Sequence, residues 1–300
     1  MKIAIYGAKS LALGMYRAIE LLYPGQDCIG FVVNSRENNP STLAGLPVIE
    51  MDELSDKMSQ DDKQSLHILI CTPEDIHESI VDYIIGYGFE NYTCMDSRKE
   101  AKLMEEYFVR INQFKSLHTL KYNEEELKSV LIESYQAKFY KDRPMKNIYE
   151  LPGWIIPIQV GAELTDVRVT DVCDNQGENI STKNVNYCEL TALYWLWKNR
   201  LLDVNSEQLR CQQAGDSKEY YGLCHYRRIL DIDSADISRL VANDVDVVVS
   251  YPTLHEPDIK EHHARHLSEE DWEAMLQAVE ELQPEYRVAY EEIFSQEYLY

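Results

Sequence analysis

At 300 residues, 45% hydrophobic and 27% charged, the chain is long enough for two domains, each with its own core. Its 52 acidic side chains against 29 basic ones leave a net charge of −23. Such a surface repels phosphate backbones and anionic lipid, which excludes a general nucleic-acid or membrane-surface binder.

Residues 1–115 alternate strand and helix. Residues 3–6 form a buried strand, and after Gly7 a helix places Leu11, Met15, Ala18, Ile19 and Leu22 on one face. Residues 28–33, 67–71 and 91–95 are further strands. Ile76, Ile80, Tyr83, Ile84 and Tyr87 mark a second helix, stopped by Gly88. This alternation predicts βαβ units and a parallel sheet with right-handed crossovers. A dinucleotide fingerprint needs G-x-G-x-x-G at the first strand-to-helix turn. Here Gly7-Ala8-Lys9-Ser10-Leu11-Ala12 keeps the first glycine alone, with Ser10 placed to cap the helix. Gly7 and Ser10 are therefore the whole nucleotide-binding set of this domain, and a structural or regulatory module fits as well as a nucleotide site. The domain resembles the small Rossmann-like domain at the front of bacterial sugar-modifying acyltransferases. The resemblance rests on the Gly7–Ser10 turn, on Leu43-Ala44-Gly45-Leu46-Pro47-Val48, and on Cys71-Thr72-Pro73 with His77.

Met104, Phe108 and Ile111 carry a helical pattern towards a connector at 116–128, which includes Glu124 to Leu127. A second domain is expected over 129–300. Leu131, Glu133, Tyr135, Ala137 and Phe139 alternate as a strand does. Further on, Asn186 stands as N-cap with Glu189 three residues later, ahead of an apolar stripe of Leu190, Leu193, Tyr194 and Trp197. Trp195 points off that stripe, to the core or to a stacked sugar. Residues 220–228 form a strand ending in His225-Tyr226-Arg227-Arg228, and 244–251 form another, closed by Pro252. Ser268 caps a last helix, with Asp271 third and Trp272, Met275, Leu276, Val279 and Leu282 on its buried face. The 13 acidic against 3 basic residues of 255–300 read as a solvated helix face.

The stretches Pro157-Ile158-Gln159-Val160-Gly161, Asp174-Asn175-Gln176-Gly177-Glu178-Asn179-Ile180-Ser181, 187–199 and Gly222–Arg228 closely resemble a family of glycosyltransferases encoded in capsule and exopolysaccharide clusters. The resemblance implies a GT-A-like α/β domain behind the Rossmann-like one. It implies transfer of a sugar from a nucleotide-diphosphate sugar to a lipid-linked or free saccharide acceptor in surface-polysaccharide synthesis. That family continues past this point with further strand and helix, so the resemblance implies that, if the natural protein also ends at Tyr300, part of the acceptor side or a catalytic group is missing.

Such a transfer requires a seat for the nucleotide, neutralisation of the departing diphosphate and, for inversion, a base. Arg227 and Arg228, at the C-terminal end of a parallel-type strand, can fork onto phosphate oxygens without a metal. With His225 and His263 they make the catalytic set. Asp174, Asn179, Ser181, Asn186, Glu189 and Thr191 supply polar groups to the donor. A divalent metal is not favoured: the D-x-D pairs Asp231/Asp233 and Asp244/Asp246 are expected by accident in so acidic a chain. His262, His263 and His266 fit an exposed loop or an acceptor-side or phosphate-side role, and metal ligation is disfavoured because no Glu follows the first as a zincin requires. Two rival functions stand beside the transferase. One is a nucleotide-sugar modifying enzyme run from the first domain, which lacks the glycine fingerprint and a Tyr-x-x-x-Lys pair. The other is a non-catalytic nucleotide- or sugar-binding regulator. Seven cysteines without a C-x-x-C pair fit reduced thiols, and with no apolar run near a membrane span's roughly 18 residues the expectation is a cytoplasmic protein, at most peripherally associated with membrane.

Overall fold

The computed structural model describes residues 1–112, 115–122, 130–144, 150–201, 218–228, 230, 232–264 and 268–299. They divide into two compact units, Met1–Ser116 with Val247–Tyr300, and Leu117–Asp246.

The first unit is built on β1 (Lys2–Tyr6), β2 (Asp27–Val33), β3 (Thr42–Leu43), β4 (Leu46–Glu50), β5 (His67–Ile70) and β6 (Tyr92–Cys94). Five strands run parallel in the order β4-β2-β1-β5-β6, the Rossmann arrangement, and β3 adds an antiparallel edge. Both faces are covered, so the inner strands read as continuous apolar runs. Ile5, Phe31 and Val33 face α1 (Ser10–Leu22) and α5 (Ser97–Ile111). Ala4, Tyr6 and Val32 face α2 (Met51–Asp56) and α4 (His77–Gly86). The short α3 (Gln60–Ser65) carries a capping box between Ser59 and Asp62. Sequence periodicity passes over β4, which enters through a tight hairpin: Ala44 and Gly45 take φ of 51° and 77°, the left-handed pair such a turn requires. Far from being a mere lead into the connector, α5 buries Met104, Tyr107 and Phe108 in this core. Asp96 caps it, accepting from Lys99 N–H at 3.0 Å. The expected helix at Glu124–Leu127 lies outside the described residues.

The second unit carries a four-stranded sheet, β10-β7-β8-β9, parallel throughout. Its strands are β7 (Val130–Lys138), β8 (Ile155–Gln159), β9 (Val172–Cys173) and β10 (Lys218–His225). Both units are thus of the expected α/β class. Helices α6 (Asn184–Tyr187), α7 (Leu190–Leu196) and α8 (Ser234–Ala242) accompany the sheet. The capping box expected at Asn186 does not form. Cys188, at φ 46°, breaks the segment into α6 and α7, Asn186 is exposed inside α6, and Glu189 starts α7 without a side-chain cap. The buried face of α7 is also the opposite of the expected one. Thr191, Ala192, Trp195 and Leu196 are buried, whereas Leu190, Leu193 and Trp197 are about half exposed. Trp195 packs edge-on against Tyr135 with ring centroids 5.7 Å apart, as a core residue.

The chain then returns to the first unit, so 129–300 is not one domain. β11 (Thr253–Leu254) pairs antiparallel with β12 (Tyr298–Leu299), and Leu254 joins the core of Ala8, Leu13 and Met104. The expected strand at 244–251 is absent: Asp244 sits at φ 53°, no ladder follows, and Val247 and Val249 are exposed. Alternation alone cannot make a strand without a partner for its backbone. Helices α9 (Ile259–Ala264), α10 (Glu269–Leu282) and α11 (Arg287–Phe294) complete the unit. Ser268 caps α10 as expected, accepting from Asp271 N–H at 3.1 Å. Trp272 packs on Tyr290 and Phe294, but the face is only half covered and Leu282 is exposed. Among the described residues no helix is long and apolar enough to cross a membrane.

Candidate functional site

In open parallel sheets ligands collect beyond the carboxyl ends of the strands. At that edge of the second unit the loop after β9 and helix α7 are locked by one carboxylate. Asp174 is fully buried. Its Oδ2 accepts from Gly161 N–H at 2.8 Å and the Thr191 hydroxyl at 2.6 Å; its Oδ1 accepts from Ala162 N–H at 3.0 Å and the Ser181 hydroxyl at 2.5 Å. Four donors fill the lone-pair sites a carboxylate offers. Around it, Asn184 donates to Cys188 O at 2.7 Å and Thr191 Oγ1 at 3.1 Å, and Asn179 donates to Gly177 O at 2.9 Å. Asn199 closes the same loop, donating to Glu178 O at 2.8 Å, while the Trp195 indole donates to Gln176 O at 2.8 Å. Asp174, Asn179, Ser181 and Thr191 therefore spend these bonds inside the protein.

What this scaffold presents is Glu189, at the head of α7. Its Oε1 lies 3.3 Å from His225 Nε2, at the end of β10, and both side chains are partly exposed. His225 Nδ1 accepts from Arg227 N–H at 3.2 Å, so the proton of the neutral ring belongs on Nε2, towards Glu189. The Arg227 guanidinium lies 5.4 Å from the Tyr226 ring centroid, and both Arg227 and Arg228 are exposed. Among the described residues neither forms an ion pair with a carboxylate. Gln136, buried on β7, donates to the carbonyls of Tyr226 and Arg228 at 3.3 Å each and so fixes the turn that carries both arginines. Asp142, just past β7, completes the group. It accepts from Phe139 N–H at 2.7 Å, burial pushes its carboxyl up and Glu189 adds to that, while the Phe139 bond, His225 and Lys138 pull it down.

Sequence reasoning missed Gln136 and Asp142. Gln136 left a signal, since it and Ser134 are polar residues within a strand whose residues 134–137 are all buried. Asp142 left none, being one more aspartate in a turn of an acidic chain.

Other expected site residues fall elsewhere. His263 belongs to the first unit, with its ring 5.9 Å from that of Phe294. Gly7 takes φ 119°, and a Cβ there would meet Cys71 O at 2.6 Å, so its missing side chain serves a close backbone approach. Ser10 does not cap α1 as expected: it is the first residue of the helix, behind Lys9 at the N-cap position, and it lines a cavity at the head of α1. Asp231 and His266 lie outside the described residues. Asp233 caps α8 in a reciprocal box with Asp236, and Asp244 and Asp246 stand on no strand. Among the described residues no group of three or more His, Cys, Asp or Glu is arranged to hold a metal.

No curated protein matches the chain. Among solved structures it is similar to the bifunctional glycosyltransferase WbbM in its apo form, at 21% identity and TM-score 0.36 over 57% of this chain. The chain spans only 32% of WbbM's length. It is also similar to an engineered D-amino acid dehydrogenase bound to NADP+ (17% identity, TM-score 0.24, over 35% of this chain and 32% of that one). A third is RSP, a Rex-family repressor (12% identity, TM-score 0.26, over 37% and 62%). All three scores are too low to carry an argument about this chain. Residues 143–300, more than half of the sequence, match the family described as a domain of unknown function, DUF4422, and the chain belongs to that family.

Proposed function

We propose that the second unit is a glycosyltransferase centre acting on a nucleotide-diphosphate sugar. The observation that carries this reading is the convergence of Glu189, His225, Arg227 and Arg228 at the carboxyl edge of a parallel sheet, with the arginines exposed and unengaged by carboxylates among the described residues. Fixed guanidinium donors suit the two negative charges of a departing diphosphate. In the transfer the acceptor oxygen bonds to the anomeric carbon, the bond from that carbon to the diphosphate oxygen breaks, and the acceptor proton passes to a carboxylate. Glu189 is that carboxylate, held by the Nε2–H of His225. Asp174, Ser181 and Thr191 set the height of α7 and thereby the place of Glu189. The acceptor is a saccharide, lipid-linked or free, of a surface polysaccharide.

The test is calorimetric titration of uridine and guanosine diphosphate sugars into the full chain, with and without chelator. A charge-assisted hydrogen bond contributes about 1.5–3 kcal/mol, so Arg227→Ala should weaken the donor about 10- to 100-fold. Arg227→Lys should rescue poorly, because the planar fork is lost. Binding that chelator or Asp233→Asn abolishes, yet Arg227→Ala leaves intact, would move the diphosphate to a cation. Asparagine still caps α8, so that variant keeps its fold.

A further inference from the structure

The first unit has a cavity of about 560 Å³ at the head of α1, within the usual range for small-ligand sites. It is lined by Lys9 and Ser10 from the first turn, by Asn38 and Asn39 from the loop after β2, and by His255, Glu256 and His262 from the late segment. We propose that this cavity binds a hydroxylated phosphate monoester, a sugar phosphate or nucleoside monophosphate, and that residues 252–264 complete the site.

The charges converge on an anion. Lys9 stands at the N-cap position and its side chain makes no cap bond to α1; instead its ammonium Nζ donates to Asn38 O at the cavity wall. The first turn of this 13-residue helix has no acidic residue, so the positive end of its dipole is uncompensated from within α1. The imidazoles of His255 and His262 pack with centroids 4.1 Å apart, which brings two proton-carrying rings to one wall. Glu256 selects among anions. It accepts from Ala44 N–H at 2.6 Å, and a carboxylate in the lining repels phosphate but accepts from sugar hydroxyls. A ligand satisfying both ends carries hydroxyls as well as phosphate.

The same turn argues against a dinucleotide. The second glycine of the fingerprint lets a pyrophosphate lie against the backbone, and the third lets helix and strand pack closely. Lys9 and Ala12 hold those positions. A side chain at Lys9 keeps a pyrophosphate off the turn yet reaches a single phosphate in the cavity.

Isothermal titration of the full chain with inorganic phosphate, glucose 1-phosphate and uridine 5′-monophosphate tests this. At least one ester should bind with a dissociation constant of about 1 mM or tighter, and at least about 10-fold tighter than phosphate. Ser10→Asp should weaken that ester at least about 10-fold by placing a negative charge at the cavity, while an acidic residue in the first turn favours the helix and keeps the fold. His262→Gln should weaken it about 3- to 10-fold, the loss of one modest hydrogen bond. Absence of binding by all three probes, equal binding of phosphate and esters, or indifference to Ser10→Asp or His262→Gln each overturns the proposal.

Discussion

Thr191 shows how one buried polar atom can set the face of a helix. On hydrophobicity alone α7 should turn Leu190, Leu193 and Trp197 inward, yet these are about half exposed and Thr191 is fully buried. The reason is Asp174: a carboxylate withdrawn from water must be met by donors, and the Thr191 hydroxyl supplies one at 2.6 Å. Burying Thr191 carries Trp195 and Leu196 in with it. Thr191→Val keeps the shape but removes that donor, and should destabilise the second unit by about 1–3 kcal/mol. Leu193→Ala, on the exposed face, should cost under about 0.5 kcal/mol. Urea unfolding followed by tryptophan fluorescence compares them, and a larger loss in the leucine variant would restore the apolar stripe as the packing face.

Turns decide whether these elements can meet, and glycine matters where backbone approaches backbone. At Gly7 the left-handed φ of 119° coincides with a Cβ position 2.6 Å from the carbonyl oxygen of Cys71. A main-chain atom at a strand end cannot give way cheaply, so Gly7→Ala should destabilise the first unit by more than about 1 kcal/mol. Gly25→Ala meets nothing within 4 Å and should be neutral, or stabilising by about 0.4–1 kcal/mol through the unfolded chain. A fall in the thermal midpoint for Gly25→Ala but not Gly7→Ala would contradict this account. The same elements show what the sequence made legible. β1, β2, β5, β7 and β10 were readable because buried strands of a parallel sheet leave apolar or alternating runs, and α10 because Ser268 and Asp271 mark its start. β4 was not, since Pro47 and a two-residue hairpin interrupt the pattern. Residues 244–251 misled in the other direction, their Asp-Val alternation suggesting a strand that pairs with no strand among the described residues. At the site, the strand end at His225 and the arginines was legible, whereas its pairing with Glu189 was not. That pairing depends on Cys188 breaking the helix at φ 46°, which side-chain pattern does not encode.

For the whole molecule, the order of residues is a poor guide to which of them share a core. Nothing in composition announces that residues 247–300 leave the parallel sheet beside them in sequence and fold with residues 1–116. The physical link is small and specific: Leu254, 3% exposed, sits among Ala8, Leu13 and Met104, while Glu256 accepts from Ala44 N–H. Burying one leucine contributes about 1.5–3 kcal/mol, equivalent to about a 10- to 100-fold change in an opening equilibrium. Removing residues 247–300 should therefore speed amide exchange in α1 and α5 by at least about 10-fold while leaving β7 and β8 unchanged. Leu254→Ala in the full chain should reproduce most of the α1 effect. Hydrogen-exchange mass spectrometry resolves both units in one sample. Equal protection of α1 in the shortened and full chains would mean that the late segment rests on the first unit without stabilising it. Faster exchange in β7 and β8 would instead tie residues 247–300 to the second sheet.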